Sequence, residues 1–124
     1  MAAFTALDIN LDNLVDDVAN SGIVAAAASQ TVDMTGRKKL TLYVRNADND
    51  ADAYVTIKAG VGIRSGLGSR IEKVDFGDTA VIKIEDTARH VGATGLITVE
   101  LNQSNGSALG GGDLANITLI GIRE

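Results

Sequence analysis

Cysteine and proline are both absent from the 124-residue chain, and aromatic residues make up only 3% of it. Without cysteine, neither a disulfide framework nor a thiolate metal site is possible. Without proline there is no Pro-rich linker, and the 14 glycines must mark most of the turns. Because aromatic residues are so few, the core must be built from Val, Ile, Leu and Ala. The lack of cysteine therefore excludes the small secreted proteins that depend on a disulfide framework.

Positive charge and long apolar runs are also scarce. The net charge is -5, and residues 1–22 contain four acids (Asp8, Asp12, Asp16 and Asp17) but no base. An acidic chain with few aromatics lacks the basic stripes and stacking platforms of a nucleic-acid-binding protein. The longest apolar run, 23–28, is too short to span a bilayer, and the first residues lack the basic region of a signal peptide. We expect a soluble chain made in the cytoplasm, with neither nucleic acid nor membrane as a partner.

Period-two alternation dominates the chain from residue 39 onward. The segments KLTLYVRN, AYVTIKAG, TAVIKIE and LITVELN place apolar residues on one face and polar residues on the other, and RIEKVDF is a weaker match. LANITLIGI ends apolar on both faces, as in a strand that is covered on both sides. An extended edge strand is expected over 29–34, whereas the alanines before it fit either a strand or a short helix. Turn residues such as FGDT and GATG separate these runs.

About six or seven short strands indicate an all-β fold: a small antiparallel sandwich or barrel, jelly-roll-like, formed by a single domain over 23–124. Residues 1–22 differ, because Leu7, Leu11, Leu14 and Val18 recur at helical spacing. So short a helix is marginal in water unless its apolar stripe packs on something. The segment is therefore predicted to be an N-terminal arm or short helix. It packs either on its own domain or on a partner.

A glycine motif raises the question of a phosphate-binding loop. Gly60, Gly62 and Gly66 follow a strand-like run at GxGxxxG spacing. Such a loop binds phosphate only when a helix N-terminus follows it, and no helical period follows Gly66. The motif therefore favours a flexible connection between two strands, in which Arg64 and Arg70 supply solvated charge or contacts to a partner.

Two other motifs fall short of a site. Asp48, Asp50 and Asp52 occupy the first, third and fifth positions of a calcium loop, but Ala53 and Ala59 replace the glycine and glutamate that such a loop needs. A solvated hairpin loop is favoured, with a weak cation site as the alternative. His90 lies near acidic residues, but the chain has no GxSxG nucleophile elbow, and a turn histidine is favoured. The motifs predict no enzyme, no resident metal and no cofactor.

The order of segments resembles the small all-β head decoration (cementing) proteins of tailed bacteriophages. In that family a strand ending in VxN precedes a polar hairpin, a VTIKAG strand and a Gly-rich loop. A GDT turn then leads into a strand that ends in an acidic, Ala-Arg-bearing segment before GxIxV. The matching positions are 44–46, 55–60, 77–84, 85–89 and 95–99, and the resemblance covers roughly residues 38–122. His90 departs from the family, which often has an aromatic residue there.

The resemblance implies a structural virion protein on the capsid exterior. Such a protein binds the outer surface of a phage capsid, stabilises it and commonly acts as a homotrimer, so the implied partners are the major capsid protein and further copies of this chain. A tail, baseplate or carbohydrate-binding β module that uses the loops 60–70 and 103–113 is the alternative. The candidate partner-interface residues are the apolar side chains of the acidic arm and two loop arginines: Phe4, Leu7, Ile9, Leu11, Leu14, Arg64 and Arg70.

Overall fold

A computed structural model describes residues 2–4, 7–8, 23–25, 27–62 and 66–124; for the first three stretches it describes the backbone only. The described elements are ten strands and a one-turn helix. The strands are β1 (Ala2–Phe4), β2 (Leu7–Asp8), β3 (Ile23–Ala25), β4 (Ser29–Asp33), β5 (Leu40–Asn46), β6 (Ala53–Ile57), β7 (Arg70–Val74), β8 (Thr79–Ile84), β9 (Leu96–Asn102) and β10 (Ile117–Arg123). The helix α1 covers Gly111–Leu114, and a 3-10 turn covers Thr87–Arg89.

Two sheets pack face to face. Sheet 1 has the order β1-β4-β9-β6-β7, and sheet 2 has the order β2-β10-β5-β8, with β3 also paired to β10. Neighbouring strands are antiparallel, except that β1 runs parallel to β4 and β2 runs parallel to β10. From β4 onward only the β6–β7 hairpin stays within one sheet, and every other connection crosses between the sheets. The predicted all-β sandwich is confirmed, and the described strands do not close into a barrel.

The predicted alternation forms the core between the sheets. In β5 every second residue from Leu40 to Asn46 is buried, and the residues between them are half-buried or exposed. Val55 and Ile57 in β6, and Val99 in β9, are likewise fully buried. The other core residues are aliphatic side chains from both sheets, such as Val32, Ile82, Ile84, Ile97, Leu101, Ile117 and Leu119. An aliphatic core of branched residues suits a pleated surface and explains why so few aromatics suffice.

The strand predictions need two refinements. The strand expected over 29–34 is β4, but it is not a free edge, because the three residues of β1 pair along its outer side. The LANITLIGI run does not form one strand, since Leu114 ends α1 and β10 begins at Ile117.

The N-terminal residues begin on the sandwich itself. The backbone of Phe4 pairs with Val32 in sheet 1, and that of Leu7 pairs with Ile122 in sheet 2. Leu7 therefore lies in a strand, although the helical period begins at that residue. The rest of the expected helix, including Leu11, Leu14 and Val18, lies outside the described residues.

Candidate functional site

The outward face of sheet 2 carries a row of apolar side chains. The register places Ile120 opposite Tyr43, and Tyr43 opposite Val81, so the three side chains line up across β10, β5 and β8. Tyr43 is 37% exposed and Val81 is 52% exposed. On the other side of β10, the backbone of Ile23 in β3 pairs with Ile120, so β3 is the fourth strand in this register. We call Ile120, Tyr43 and Val81 the apolar row.

Positive charge flanks the apolar row. On the outer face of sheet 2 the described side chains are the apolar row together with Thr41, Arg45, Thr79, Lys83, Thr118 and Ile122. Among these described side chains there are two bases and no acid. A guanidinium nitrogen of Arg45 donates to the Gly77 carbonyl at 2.7 Å and to the Thr79 hydroxyl at 3.4 Å, both of which are neutral. In the described part of the chain, no carboxylate forms an ion pair with Arg45 or Lys83.

The outer face of sheet 1 is different. Its central positions are polar: Thr56 lies opposite Glu100 on one side and opposite exposed Ile71 on the other. The bases of this side pair with carboxylates, since Lys58 lies 3.7 Å from Glu100 and Lys73 lies 3.2 Å from Asp75. Only the outer face of sheet 2 therefore combines exposed apolar area with bases that lack an acidic partner among the described residues.

The predicted interface residue Arg70 makes contacts within its own chain. Its Nε donates to Glu72 at 2.7 Å, and its Nη1 donates to the Lys83 carbonyl at 2.7 Å. The second bond joins the edge of sheet 1 to the edge of sheet 2. Of the other predicted interface residues, Phe4 and Leu7 lie in β1 and β2 with only their backbone described, whereas Ile9, Leu11, Leu14 and Arg64 lie outside the described residues.

The glycine motif has a packing role at its first position. Gly60 donates its amide to the Arg89 carbonyl at 2.8 Å, and a Cβ at Gly60 would lie 2.1 Å from the Val91 carbonyl oxygen. The loop leads into strand β7 rather than into a helix. Gly60 is therefore explained by close approach of two backbone segments, as expected for a structural connection.

His90 lies in the same corner and is buried. Its Nδ1 lies 2.9 Å from the Lys58 carbonyl oxygen, which can only accept, so Nδ1 carries the proton. Burial lowers the pKa of His90, which keeps the ring neutral at pH 7. The neighbouring Arg89 donates to the Gly68 carbonyl at 2.7 Å. The histidine and the arginine thus hold the glycine loop against the 3-10 turn.

An acidic cluster forms at the calcium-like motif, but it includes Asp113 in place of Asp52. Carboxylate oxygens of Asp48, Asp50 and Asp113 lie within 4.8 Å of one another. Asp52 points elsewhere: it accepts a hydrogen bond from the Phe76 amide at 3.0 Å. Three carboxylates at this spacing are ligands of the kind that Ca²⁺ prefers. Asp113 comes from α1, far along the chain, and no sequence pattern links it to Asp48.

The three carboxyl groups of this cluster titrate differently. Hydrogen bonds from the Asp50 amide and from the Asn116 side chain hold the pKa of Asp48 well below its usual range. The contact with Asp48 raises the pKa of Asp50. Burial and the negative charge of Asp48 raise the pKa of Asp113. Asp48 is therefore a structural hydrogen-bond acceptor that stays ionised. Its hydrogen bond and negative charge raise the pKa of Asp50, and burial together with that charge raises the pKa of Asp113.

A shallow groove lies beside the acidic cluster. It encloses about 430 Å³ and is lined by Ala51, Asp52, Tyr54, Gln103, Ser104, Leu109, Gly110 and Asp113. One half-buried aromatic ring and several polar side chains could contact a small polar ligand there.

No family model, no curated protein and no solved structure matches this chain. Among the described residues, no helix has the length and apolar character needed to cross a membrane.

Proposed function

We propose that this chain is a structural virion protein that binds the outside of a phage capsid and stabilises it as a homotrimer. The observation that carries the proposal is the apolar row on the outer face of sheet 2. Exposed, contiguous apolar side chains on a soluble domain are typical of a surface that a partner covers. The proposed role is that of an assembly component and not of an enzyme.

The resemblance to head decoration proteins supports the same function. Its matching segments coincide with framework elements of the sandwich: Val44–Asn46 ends β5, Val55–Gly60 covers most of β6 and its exit, and Gly77–Ile84 contains β8 with its preceding turn. The motifs of the resemblance therefore belong to the parts of the chain that determine the fold. Trimerisation would multiply weak contacts to a capsid through effective concentration.

The test is co-sedimentation of the purified chain with capsid shells of the phage whose genome encodes it, using both unexpanded and expanded shells. Saturable pelleting at a fixed ratio of chain to capsid subunit is expected. Bovine serum albumin serves as the control for trapped protein. A chain that stays in the supernatant with both kinds of shell would contradict the proposal.

The groove beside the acidic cluster favours a second candidate, a tail, baseplate or carbohydrate-binding module. Tyr54 and the 103–113 loop line this groove, as a sugar site would require. The scarcity of aromatic platforms weighs against it, because sugar sites stack on exposed rings. Binding of the isolated chain to a glycan array, lost on Tyr54→Ala, would favour this candidate over the first.

A further inference from the structure

The outer face of sheet 2 needs a partner that is apolar and acidic. In the apolar row Tyr43 and Val81 are exposed and Ile120 is half-buried, and the flanking bases Arg45 and Lys83 form no ion pair with a carboxylate of the described chain. Two copies that met through this same face would bring like charges together, which is destabilising. A symmetric face-to-face dimer is therefore disfavoured.

The opposite chemistry is found at one end of the same molecule. The turns 47–52 and 75–78 and the helix α1 meet there: the Phe76 amide donates to Asp52, and Asp48 lies beside Asp113. We call this surface the Asp-rich end. It consists of exposed Phe76 and the aspartates Asp50, Asp52, Asp75, Asp78 and Asp113, whereas Asp48 is buried.

Two bases lie near these aspartates: Lys73, and Arg45, whose guanidinium donates to the Gly77 carbonyl in the turn 75–78. Lys73 pairs with Asp75 at 3.2 Å and with Asp52 at 3.5 Å. Phe76 is 50% exposed, although it is one of only two phenylalanines in the chain. The Asp-rich end thus combines an exposed aromatic ring with excess negative charge, which is the complement of the outer face of sheet 2.

We infer that the outer face of sheet 2 binds the Asp-rich end of a second copy of this chain. The contact is heterologous, since it joins two different surfaces, and such contacts generate closed rings when the rotation between copies closes. A ring of three copies would use every face and every Asp-rich end. The inference rests on the homotrimer part of the proposed function and names the surfaces that would form it.

The first experiment measures the solution mass of the full chain by light scattering. Wild type is expected near three times the 12.8 kDa chain mass. Val81→Glu places a charge in the apolar row and is expected to give a monomer. Ile71→Glu is the matched control, because Ile71 is an exposed aliphatic residue on the edge strand of the other sheet. It is expected to leave the mass unchanged.

The second experiment tests whether the contact joins two different surfaces. Phe76→Glu disables the Asp-rich end and leaves the outer face of sheet 2 intact, whereas Val81→Glu does the reverse. Each variant alone is expected to be a monomer. A mixture of the two is expected to form a one-to-one dimer, because the intact outer face of the Phe76→Glu variant can bind the intact Asp-rich end of the Val81→Glu variant. Asp78→Lys replaces Phe76→Glu if the melting curve shows that the latter does not fold.

The inference would be overturned by a wild-type trimer that survives Val81→Glu, or by variants that do not associate on mixing. A wild-type monomer at every concentration would also overturn it. The proposed function would still be decided separately by co-sedimentation with shells, since that assay does not depend on the mass in free solution.

Raising NaCl from about 0.1 M to about 1 M shortens the screening length from about 10 Å to about 3 Å. The wild-type trimer is expected to weaken over this range.

Discussion

The backbone contact of Gly60 distinguishes a structural glycine loop from a phosphate-binding loop. In a phosphate-binding loop a glycine lets the backbone approach a ligand, but here it lets the backbone approach Val91 of the same chain. The amide of Gly60 and the ring of His90 both bond to carbonyl groups across this contact. The corner is therefore a packed joint between the glycine loop and the 3-10 turn.

Gly60→Ala is expected to destabilise the protein by about 3 kcal/mol, because the new methyl group overlaps a backbone oxygen that cannot move freely. Gly66→Ala is the control, since no described atom beyond the chain neighbours lies within 4 Å of a Cβ at that position. Urea denaturation measures both. Equal stabilities of the two variants would contradict the packing role of Gly60.

Asp113→Asn is expected to stabilise the protein at pH 7. Because the folded chain raises the pKa of Asp113, this group favours folding most below its unfolded value of about 4, and that contribution is lost as the pH rises through the folded pKa. The variant avoids the loss and also removes a charge beside Asp48. Asp78→Asn serves as an exposed control.

Denaturation at pH 7 and at about pH 3 tests the acidic cluster, because at the lower pH the carboxyl group of Asp113 is largely protonated in both the unfolded and the folded chain. The advantage of Asp113→Asn is expected to shrink at low pH. An advantage that persists there, or a variant less stable than wild type at pH 7, would show that charge repulsion is not the dominant effect.

At the scale of elements, β5 ends in a buried polar residue that ties the two sheets together. Asn46 is fully buried, and its Nδ2 donates to the Ala51 carbonyl at 2.9 Å and to the Val74 carbonyl at 3.2 Å. Its Oδ1 accepts from the Asp48 amide at 3.1 Å. One side chain thus links the end of β5 in sheet 2 to the loop before β6 and to β7 in sheet 1.

Asn46→Ala is expected to cost about 3 kcal/mol, because buried backbone groups lose their partners. Asn49→Ala, at an exposed position of the same loop, is expected to be nearly neutral. Thermal and urea denaturation provide the comparison. A near-neutral Asn46→Ala would mean that water replaces the lost hydrogen bonds and that the corner does not depend on this side chain.

The elements that sequence predicts well are those whose signal is local. Alternation within β5, β6, β8 and β9 predicts their inward faces correctly, because a strand's period depends only on its own residues. The apolar row was missed because it exists only once Ile120, Tyr43 and Val81 are brought into register by strands far apart in sequence. The pairing of Asp113 with Asp48 was missed for the same reason. The short strands β1 and β2 are too brief to show any period.

At the scale of the whole molecule, the two outer faces have opposite character. Sheet 1 presents polar residues and paired charges, whereas sheet 2 presents the apolar row between two bases that have no acidic partner among the described residues. The molecule therefore has two different surfaces of complementary character, namely the outer face of sheet 2 and the Asp-rich end. A domain with two different, complementary surfaces is suited to repeated assembly on a symmetric shell.

DNA release from filled phage heads on heating, followed with an intercalating dye, tests whether this chain stabilises a capsid. Heads stripped of bound accessory protein are heated with and without the purified chain. We expect the chain to raise the release temperature in a saturable manner, and we expect Ile71→Glu to do so equally well. An unchanged release temperature at saturating wild-type protein would contradict the proposal that this chain stabilises a capsid.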